Sequence, residues 1–219
     1  MYSFTEENYL KAIYKLSENN RQSISTNAIA DLLQTKAASV TDMIRKLAEK
    51  KLLKYEKYKG VELTEKGKRV AVDTVRKHRL WEVFLCDKLK FGWDEVHDIA
   101  EQLEHINSAL LIDKLDAFLG YPSHDPHGDP IPTKNGDIKK SEFVLLNTVK
   151  ALQPVIMSGV ADHSVLFLQH LDKIGLRLGT SCLIEEMNAY DGSLKLKLNS
   201  KQSISISKDV AKNILVKPV

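Results

Sequence analysis

Cysteine is scarce in this 219-residue chain, and its two cysteines, Cys86 and Cys182, lie far apart with no CxxC partner. This spacing suggests neither a disulfide framework nor a thiolate zinc site, so both cysteines are predicted to be buried small hydrophobic residues. The sequence has no run of about 18 apolar residues, which argues against a membrane-spanning helix. The first residues lack the basic and then apolar pattern of a signal peptide, so we expect a cytoplasmic protein with no membrane partner.

The chain also lacks a large excess of charge of either sign. It has 32 Lys and Arg residues and 29 Asp and Glu residues, which gives a formal net charge of +3. The distribution along the chain is uneven. Residues 36–69 hold eleven basic and five acidic residues, a net charge of +6, whereas all seven histidines lie between His78 and His170. The sequence therefore separates a basic segment from a histidine-bearing one, within a composition typical of globular proteins.

Apolar residues at helical spacing predict three helices at the start of the chain. Ser3 and Glu6 form a capping-box pattern for the first, Thr26 is expected to cap the second, and the third follows Lys36. The period then changes to two over residues 53–64, which predicts a β-hairpin. Three helices and a hairpin make a winged helix-turn-helix, whose third helix reads DNA.

The predicted exposed face of the third helix suits a DNA groove. Small side chains at its start allow close approach, hydroxyl groups can contact bases or phosphates, and Asp42 can accept a hydrogen bond from cytosine. A solvated helix face is the alternative, because Asp42 and Glu49 would repel phosphate. The basic, aromatic hairpin favours DNA binding. The predicted DNA-binding residues are Lys36, Ala38, Ser39, Thr41, Asp42, Arg45, Lys46, Lys57 and Lys59.

Histidines and carboxylates recur at helical spacing in the next two predicted helices. The first of these helices runs from Thr64 to about Leu89, and the second begins at a staple and cap formed by Trp93 and Asp94. In the second helix these polar residues share one face and apolar residues pack on the other. Imidazole nitrogens and carboxylates without a thiolate favour Mn²⁺ or Fe²⁺, while a solvated acidic face or a core histidine is the alternative. The candidate ligands are His78, Glu82, His97, Glu101, Glu104 and His105.

The remaining sequence predicts turns and short strands. Residues 123–132 are too rich in turn residues for a helix, and Asp125 and His127 there can ligate a metal, although a surface turn is the commoner explanation. Residues 134–142 are polar and predict a linker. The short apolar and alternating runs that follow, with a helix near residues 165–171, predict a small β-barrel.

Together these motifs resemble the metalloregulator family of the diphtheria toxin repressor and the manganese transport regulator. The resemblance covers essentially the whole chain and is most specific in the spacing of His78, His97 and the Glu104-His105 pair. The matching motifs are residues 9–14, 38–41, 55–60, 63–67, 76–80 with Glu82, 96–98 with Glu101, 103–105 and 125–132.

The resemblance implies a mainly α fold with small β parts in three domains. Residues 1–72 would form the winged helix-turn-helix DNA-binding domain and residues 73–140 a helical metal-binding and dimerisation domain. Residues 141–219 would form an SH3-like, or FeoA-like, β-barrel.

The resemblance also assigns metal ligands by motif. The main site would use His78, Glu101, Glu104 and His105 with Asn8 from the first helix, or Glu7 in place of Asn8. A second site would use Glu82 with His97, or Glu82 with Asp125, His127 and Asp162, where His163 is an alternative to Asp162. The chain has Glu101 where the iron-sensing branch has cysteine, which favours the manganese branch, and it has Lys11 where some manganese sensors have an acid.

The function implied is that of a homodimeric transcriptional repressor rather than an enzyme. Mn²⁺ or Fe²⁺, at up to two sites per subunit, would act as co-repressor on a pseudo-palindromic double-stranded DNA operator of metal-homeostasis genes such as uptake genes. Two alternatives stay open. One is a metal-dependent hydrolase with an open coordination position, and the other is a winged-helix repressor that responds to a non-metal ligand.

Overall fold

The structure is a computed structural model that describes residues 2–18, 23–56, 59–139 and 141–219. The helices in these ranges are α1 (Phe4–Ser17), α2 (Thr26–Leu32), α3 (Ala37–Glu49), α4 (Glu65–Asp87), α5 (His97–Leu103), α6 (Ala109–Phe118), α7 (Val165–Lys173) and α8 (Lys208–Ala211). The strands are β1 (Leu53–Glu56), β2 (Gly60–Leu63), β3 (Val144–Leu145), β4 (Pro154–Val160), β5 (Ser181–Met187), β6 (Leu194–Leu198), β7 (Gln202–Ile206) and β8 (Ile214–Pro218).

The chain divides into two compact units. The first contains Met1–His78, Glu101–Ile112 and Pro132–Ile138, and the second contains Arg79–Ala100, Asp113–Ile131 and Lys139–Val219. None of the helices in the described ranges is long and apolar enough to cross a membrane.

The first unit begins with the predicted three helices and hairpin. The capping box of α1 is confirmed, since the Ser3 hydroxyl accepts from the Glu6 N–H and the Glu6 carboxylate accepts from the Ser3 N–H. The cap of α2 was predicted one residue too late. Ser25 rather than Thr26 is the N-cap, because Ser25 has the extended backbone that a cap needs and its hydroxyl accepts from the Ala28 N–H.

The hairpin is fixed by antiparallel pairing of β1 with β2 and by one glycine. Leu53 lies opposite Leu63 in the register. Gly60 has φ +98°, and a side chain there would collide with Ser23 and with the Ile24 carbonyl oxygen, so only glycine fits this close approach. The core of the first unit lies between these strands and the helices, and it includes Leu10, Ile13, Ile24, Ile29, Val40, Ile44, Leu47, Leu52 and Val61.

Helices α4 and α5 carry four of the predicted metal ligands, namely His78, Glu82, His97 and Glu101. Thr64 caps α4 as predicted, because its hydroxyl accepts from the Gly67 N–H. The predicted extent of α5 is wrong at both ends. Residues 92–95 instead form a turn in which the Gly92 N–H donates to the Glu95 carboxylate, and the helix ends at Leu103, before Glu104 and His105.

The second unit contains a six-stranded antiparallel sheet in the order β3-β8-β4-β5-β6-β7, which confirms the predicted small β-fold at the end of the chain. Its core is built from alternating strand residues and one face of α7, including Val155, Met157, Leu168, Leu171, Ile184, Leu196 and Val216. Cys182 is buried there as predicted, whereas Cys86 is only half-buried.

Part of the segment predicted as a linker, residues 134–142, packs against the first unit. Residues up to Ile138 belong to the first unit, and the Ile138 side chain packs against its core. Thr133, just before this segment, and Asp137 within it close a turn through a hydrogen bond from the Thr133 N–H to the Asp137 carbonyl oxygen. An isolated apolar residue in a polar stretch was too weak a signal to predict this packing.

Candidate metal centre and nucleic-acid interface

The predicted main-site residues lie in the first unit and come from four elements. One face of α1 supplies Glu7, Asn8 and Lys11, because residues three and four apart in a helix are neighbours. Helix α4 supplies His78, α5 supplies Glu101, and the turn after α5 supplies Glu104 and His105. The last two are buried, although the sequence pattern predicted that they face away from the packed side.

Glu104 is the most enclosed residue of this group and has no exposed side-chain surface. Its Oε2 lies 2.6 Å from His78 Nδ1. Lys11 Nζ lies 2.7 Å from Glu104 Oε1 and 2.8 Å from Oε2, and it also lies 2.5 Å from Glu101 Oε1. The cluster therefore joins α1, α4 and α5 through charged hydrogen bonds, which are stronger than neutral ones.

His105 is oriented by a carboxylate and an aromatic ring. Its Nδ1 lies 2.6 Å from Glu7 Oε2, and its ring stacks on Phe4 with centroids 4.6 Å apart. Because an ionised carboxylate only accepts, the bond assigns the proton to Nδ1 and leaves Nε2, 3.8 Å from Glu104 Oε1, as the nitrogen able to ligate. Glu7 therefore binds the ring nitrogen of His105 that does not ligate.

Asn8 supplies an unused acceptor on the same face of α1. Its Oδ1 is buried and accepts no hydrogen bond. Buried acceptor oxygens nearly always receive a hydrogen bond, so a buried oxygen without one is a candidate to bind a ligand. Together with imidazole nitrogens and carboxylate oxygens, this amide oxygen makes a donor set that fits a divalent ion such as Mn²⁺.

A second cluster lies in the second unit. Ligand atoms of Glu82, Asp125 and His127 lie within 4.8 Å of one another, and all three residues are buried. His127 Nε2 donates to the Trp93 carbonyl oxygen at 2.8 Å, which leaves Nδ1 facing Glu82 Oε2 at 3.7 Å. A ring nitrogen anchored in this way presents the other nitrogen to an ion.

Carboxylates outnumber basic groups in the second cluster, and this helps to raise the pKa values of Asp125 and His127. Burial raises the pKa of Asp125 to about 7, and the charges of Glu82 and Asp129 add to the rise. Burial alone would lower the pKa of His127, but the hydrogen bond and charge of Glu82 raise it to about 9. Both shifts mean that each group binds a proton more readily here than it does in water.

Arg79 anchors the loop that carries this cluster, and sequence analysis did not single it out. Its guanidinium donates to the Pro130 carbonyl oxygen at 2.6 Å and to Asp129 Oδ2 at 3.0 Å, and its Nε lies 3.6 Å from Asp125 Oδ2. The contacts span about 50 positions, so no local pattern reveals them.

Two of the other predicted second-site residues, His97 and His163, lie beside this cluster. His97, with half of its side chain exposed, has Nδ1 3.7 Å from Glu82 Oε1. Asp162 is not a member of the cluster, and its Oδ1 accepts from the Ser164 N–H before α7. His163 stacks on His127 with centroids 5.0 Å apart. The choice among these additional ligands stays a prediction.

Of the predicted DNA-binding residues, those from Lys36 to Lys46 lie at the start of α3 or along it, and Lys59 lies in the hairpin turn. Lys36 is the N-cap of α3, and Ala38, Ser39, Asp42 and Arg45 are exposed. Thr41 is half-buried and its hydroxyl donates to the Ala37 carbonyl oxygen, and Lys59 pairs with Glu56. Lys57 lies outside the described residues.

Lys46 contacts α1 through Glu6, a contact the sequence did not suggest. Glu6 is buried, and its Oε1 lies 3.1 Å from Lys46 Nζ and 2.6 Å from Lys50 Nζ. Burial would raise the pKa of Glu6, but hydrogen bonds from Lys50, the Ser3 backbone and Lys46 lower it to about 2. Sequence analysis assigned Glu6 only to the capping box, whereas its carboxylate also ties α1 to α3.

Three family models match this chain in succession. Residues 1–61 match the N-terminal DNA binding domain of iron dependent repressors, residues 64–133 match their metal binding and dimerisation domain, and residues 144–218 match the FeoA domain.

Individual relatives agree with these matches. The iron-dependent repressor IdeR of Mycobacterium tuberculosis is 35% identical over 128 residues, which is 58% of this chain and 55% of IdeR. The regulator MntR of Oceanobacillus iheyensis is 35% identical over 54% of this chain and 80% of its own length. A solved manganese-dependent transcriptional repressor in complex with manganese superposes with a TM-score of 0.85 at 32% identity, covering 98% of this chain and 100% of that one. The match thus spans about half the length of IdeR and the full length of the solved repressor.

Proposed function

Since this chain belongs to the iron-dependent repressor family, we propose that it is a homodimeric repressor that binds operator DNA when Mn²⁺ or Fe²⁺ is bound. The target genes would be those of metal homeostasis, such as metal uptake. We favour Mn²⁺ because the donor set contains carboxylates and imidazoles and no thiolate, and because a similar solved structure contains manganese.

The observation that carries this proposal is the double attachment of α1. Glu6 binds Lys46 and Lys50 of α3, while Glu7 and Lys11 bind His105, Glu101 and Glu104. Residues one to five positions apart on a single helix therefore contact both the proposed reader and the proposed metal ligands. A change in the positions of the metal ligands can therefore move the DNA-reading helix α3 directly through α1.

In the proposed main site, His78, Glu101, Glu104, His105 and the Asn8 amide oxygen hold one divalent ion. The two positive charges of the ion would attract donor atoms from α1, α4 and α5 at the same time. Glu7 keeps the His105 ring in the orientation that exposes Nε2, and the Asn8 oxygen gives α1 a direct bond to the site. Glu6 then fixes the position of α3 relative to α1.

The effect on DNA follows from population shift. We propose that a dimer presents two α3 helices to successive major grooves about 34 Å apart, and so reads a pseudo-palindromic operator. A coupling of about 1–3 kcal/mol, or roughly 5- to 150-fold in operator affinity, is enough for regulation. Glu82, Asp125 and His127 would form a second metal site that stabilises the second unit.

The test is an operator selection followed by a metal titration. Random duplexes are selected with full-length protein and Mn²⁺ under reducing conditions, and affinity for the enriched duplex is measured with Mn²⁺, Fe²⁺, Co²⁺, Zn²⁺ and a chelator. We expect an inverted repeat that binds at least 5-fold more tightly with Mn²⁺ or Fe²⁺. Equal affinity with and without these ions would contradict the proposal.

A further inference from the structure

Lys11 places an ammonium group between two of the proposed metal ligands. Its Nζ lies 2.5 Å from Glu101 Oε1, 2.7 Å from Glu104 Oε1 and 2.8 Å from Glu104 Oε2. These three contacts match the three N–H donors of an ammonium group. The Lys11 side chain is 18% exposed, whereas Glu104 is completely enclosed.

The Lys11 contacts use the lone pairs that a metal ion would need. Glu104 Oε2 already contacts both Lys11 and His78 Nδ1, and a carboxylate oxygen has two lone pairs to offer. Glu104 Oε1 contacts Lys11 and faces His105 Nε2. An ion at Oε2 must displace one of these hydrogen bonds, and an ion at either oxygen would be repelled by the ammonium at the same carboxylate.

The charges of the cluster point in the same direction. With neutral imidazoles, Glu7, Glu101 and Glu104 carry three negative charges and Lys11 carries one positive charge. A fully buried carboxylate is costly without a cation, so Lys11 stabilises the metal-free arrangement of Glu104. The same positive charge reduces the attraction of the cluster for a divalent ion.

We propose that Lys11 is an internal cation that competes with the divalent ion for Glu101 and Glu104 and thereby sets the metal concentration at which the protein responds. This inference rests on the proposed function, because it assumes that the cluster binds metal. In the metal-free protein Lys11 holds the carboxylates in place. When the ion binds, Lys11 gives up its bonds to them and its ammonium turns toward solvent.

The test compares Mn²⁺ binding by calorimetry in the full-length protein and three variants. Lys11→Gln removes the charge but can still donate a hydrogen bond to Glu104, and Lys11→Arg keeps the charge. Lys15→Gln is the matched control, because Lys15 is an exposed lysine one turn further along α1. Thermal unfolding of each metal-free protein is measured in parallel.

We expect Lys11→Gln to bind Mn²⁺ at the main site roughly tenfold or more tightly than the parent, since removing a nearby positive charge strengthens binding of a cation. The same variant should unfold at a lower temperature without metal, because Glu104 loses its cation. Lys11→Arg and Lys15→Gln should bind within a few-fold of the parent. A lysine with only a structural role would instead give weaker Mn²⁺ binding in Lys11→Gln.

Equal or weaker Mn²⁺ binding by Lys11→Gln overturns the role of Lys11 but leaves the proposed function intact if the parent still binds. Binding by the variant but not by the parent supports the role of Lys11 and contradicts the proposed function. No binding by either protein overturns both. If Lys11→Gln is too unstable without metal for calorimetry, urea unfolding at a series of Mn²⁺ concentrations gives the same affinity by linkage.

Discussion

At the scale of single residues, Glu104 joins three of the proposed functional groups of the first unit. Its carboxylate contacts His78 and Lys11 directly, and His105 Nε2 faces its Oε1. Because the side chain is completely buried, its charge acts in a medium where electrostatic interactions are strong. Any account of metal binding in the first unit therefore depends on this carboxylate.

We predict that Glu104→Gln lowers Mn²⁺ affinity at the main site by about 100-fold or more. Loss of a residue behind a metal ligand already costs roughly 10- to 100-fold, and Glu104 is a proposed ligand itself. The measurement is calorimetric titration with Mn²⁺, with circular dichroism to confirm the fold. Glu142→Gln, at an exposed position, is the control. An affinity unchanged from the parent would remove Glu104 from the site.

The charge of Glu6 makes the stability of the fold depend on pH. Its folded pKa of about 2 lies below the ordinary value of 4.5, so its charge stabilises the fold above pH 4.5 and this contribution is lost as the pH falls toward 2. We expect Glu6→Gln to cost about 2 kcal/mol near pH 6, an estimate reduced because Lys46 and Lys50 are half-exposed.

The measurement for Glu6 is the free energy of urea unfolding of the parent and Glu6→Gln between pH 6 and pH 3. The difference between the two proteins should shrink as the pH falls below 4.5. A difference that stays constant over this range would mean that the Glu6 charge does not link α1 to α3.

At the scale of elements, α3 is the proposed reader. Arg45 is exposed on it, and its guanidinium lies 4.0 Å from Asp42, a loose contact that leaves it able to turn to a phosphate. We predict that Arg45→Ala weakens operator and non-specific DNA binding alike and reduces the slope of log affinity against log salt by about 1. Fluorescence anisotropy across a salt series measures both.

The control for Arg45→Ala is Lys201→Ala, which removes one positive charge from an exposed turn between β6 and β7. This variant should leave the salt slope unchanged. A similar loss of slope in both variants would show a general charge effect and would argue against α3 as the reader.

Helices α1 to α4 and the hairpin were predictable because local rules decide them. Each of these signals relates residues that follow one another at steps of three or four positions. They are the Ser3 and Glu6 capping box, the spacing of Val40, Ile44 and Leu47, and the Thr64 cap. Helix α5 was overextended because Glu104 and His105 continue a helical spacing beyond its end at Leu103. Periodicity does not register the turn that begins at Gly92.

The predicted metal ligands came from motif spacing, and the structure brings His78, Glu104 and His105 together with α1. Sequence analysis missed the contacts of Glu6 with Lys50 and of Arg79 with Asp129, which join residues 44 and 50 positions apart. Such pairs depend on how helices pack, and one sequence carries no local signal of them. Lys11 was noticed only as a departure from a motif, and its bonds to two carboxylates required coordinates.

At the scale of the whole molecule, dimer formation is the next requirement of the proposal. Leu110 on α6 lies within the matched metal binding and dimerisation domain and is 70% exposed, so a partner would bury apolar surface there. We predict that Leu110→Asp produces a monomer and lowers operator affinity at least tenfold, because each half-site is then bound alone. Analytical ultracentrifugation measures the mass.

Leu166→Asp is the matched control for the dimer prediction. Leu166 lies on α7 in the second unit and is 81% exposed, so the substitution has the same chemistry at a similarly exposed site. It should leave a dimer. A dimeric Leu110→Asp variant with full operator affinity would place the interface elsewhere.

If metal and operator are coupled through α1, each must raise the affinity of the other by the same factor, because binding linkage is reciprocal. Mn²⁺ affinity is measured by titration with and without saturating operator duplex. We predict that operator raises Mn²⁺ affinity by the same factor, about 5- to 150-fold, by which Mn²⁺ raises operator affinity, and that this factor disappears in Glu104→Gln. An Mn²⁺ affinity that is the same with and without operator would contradict the account.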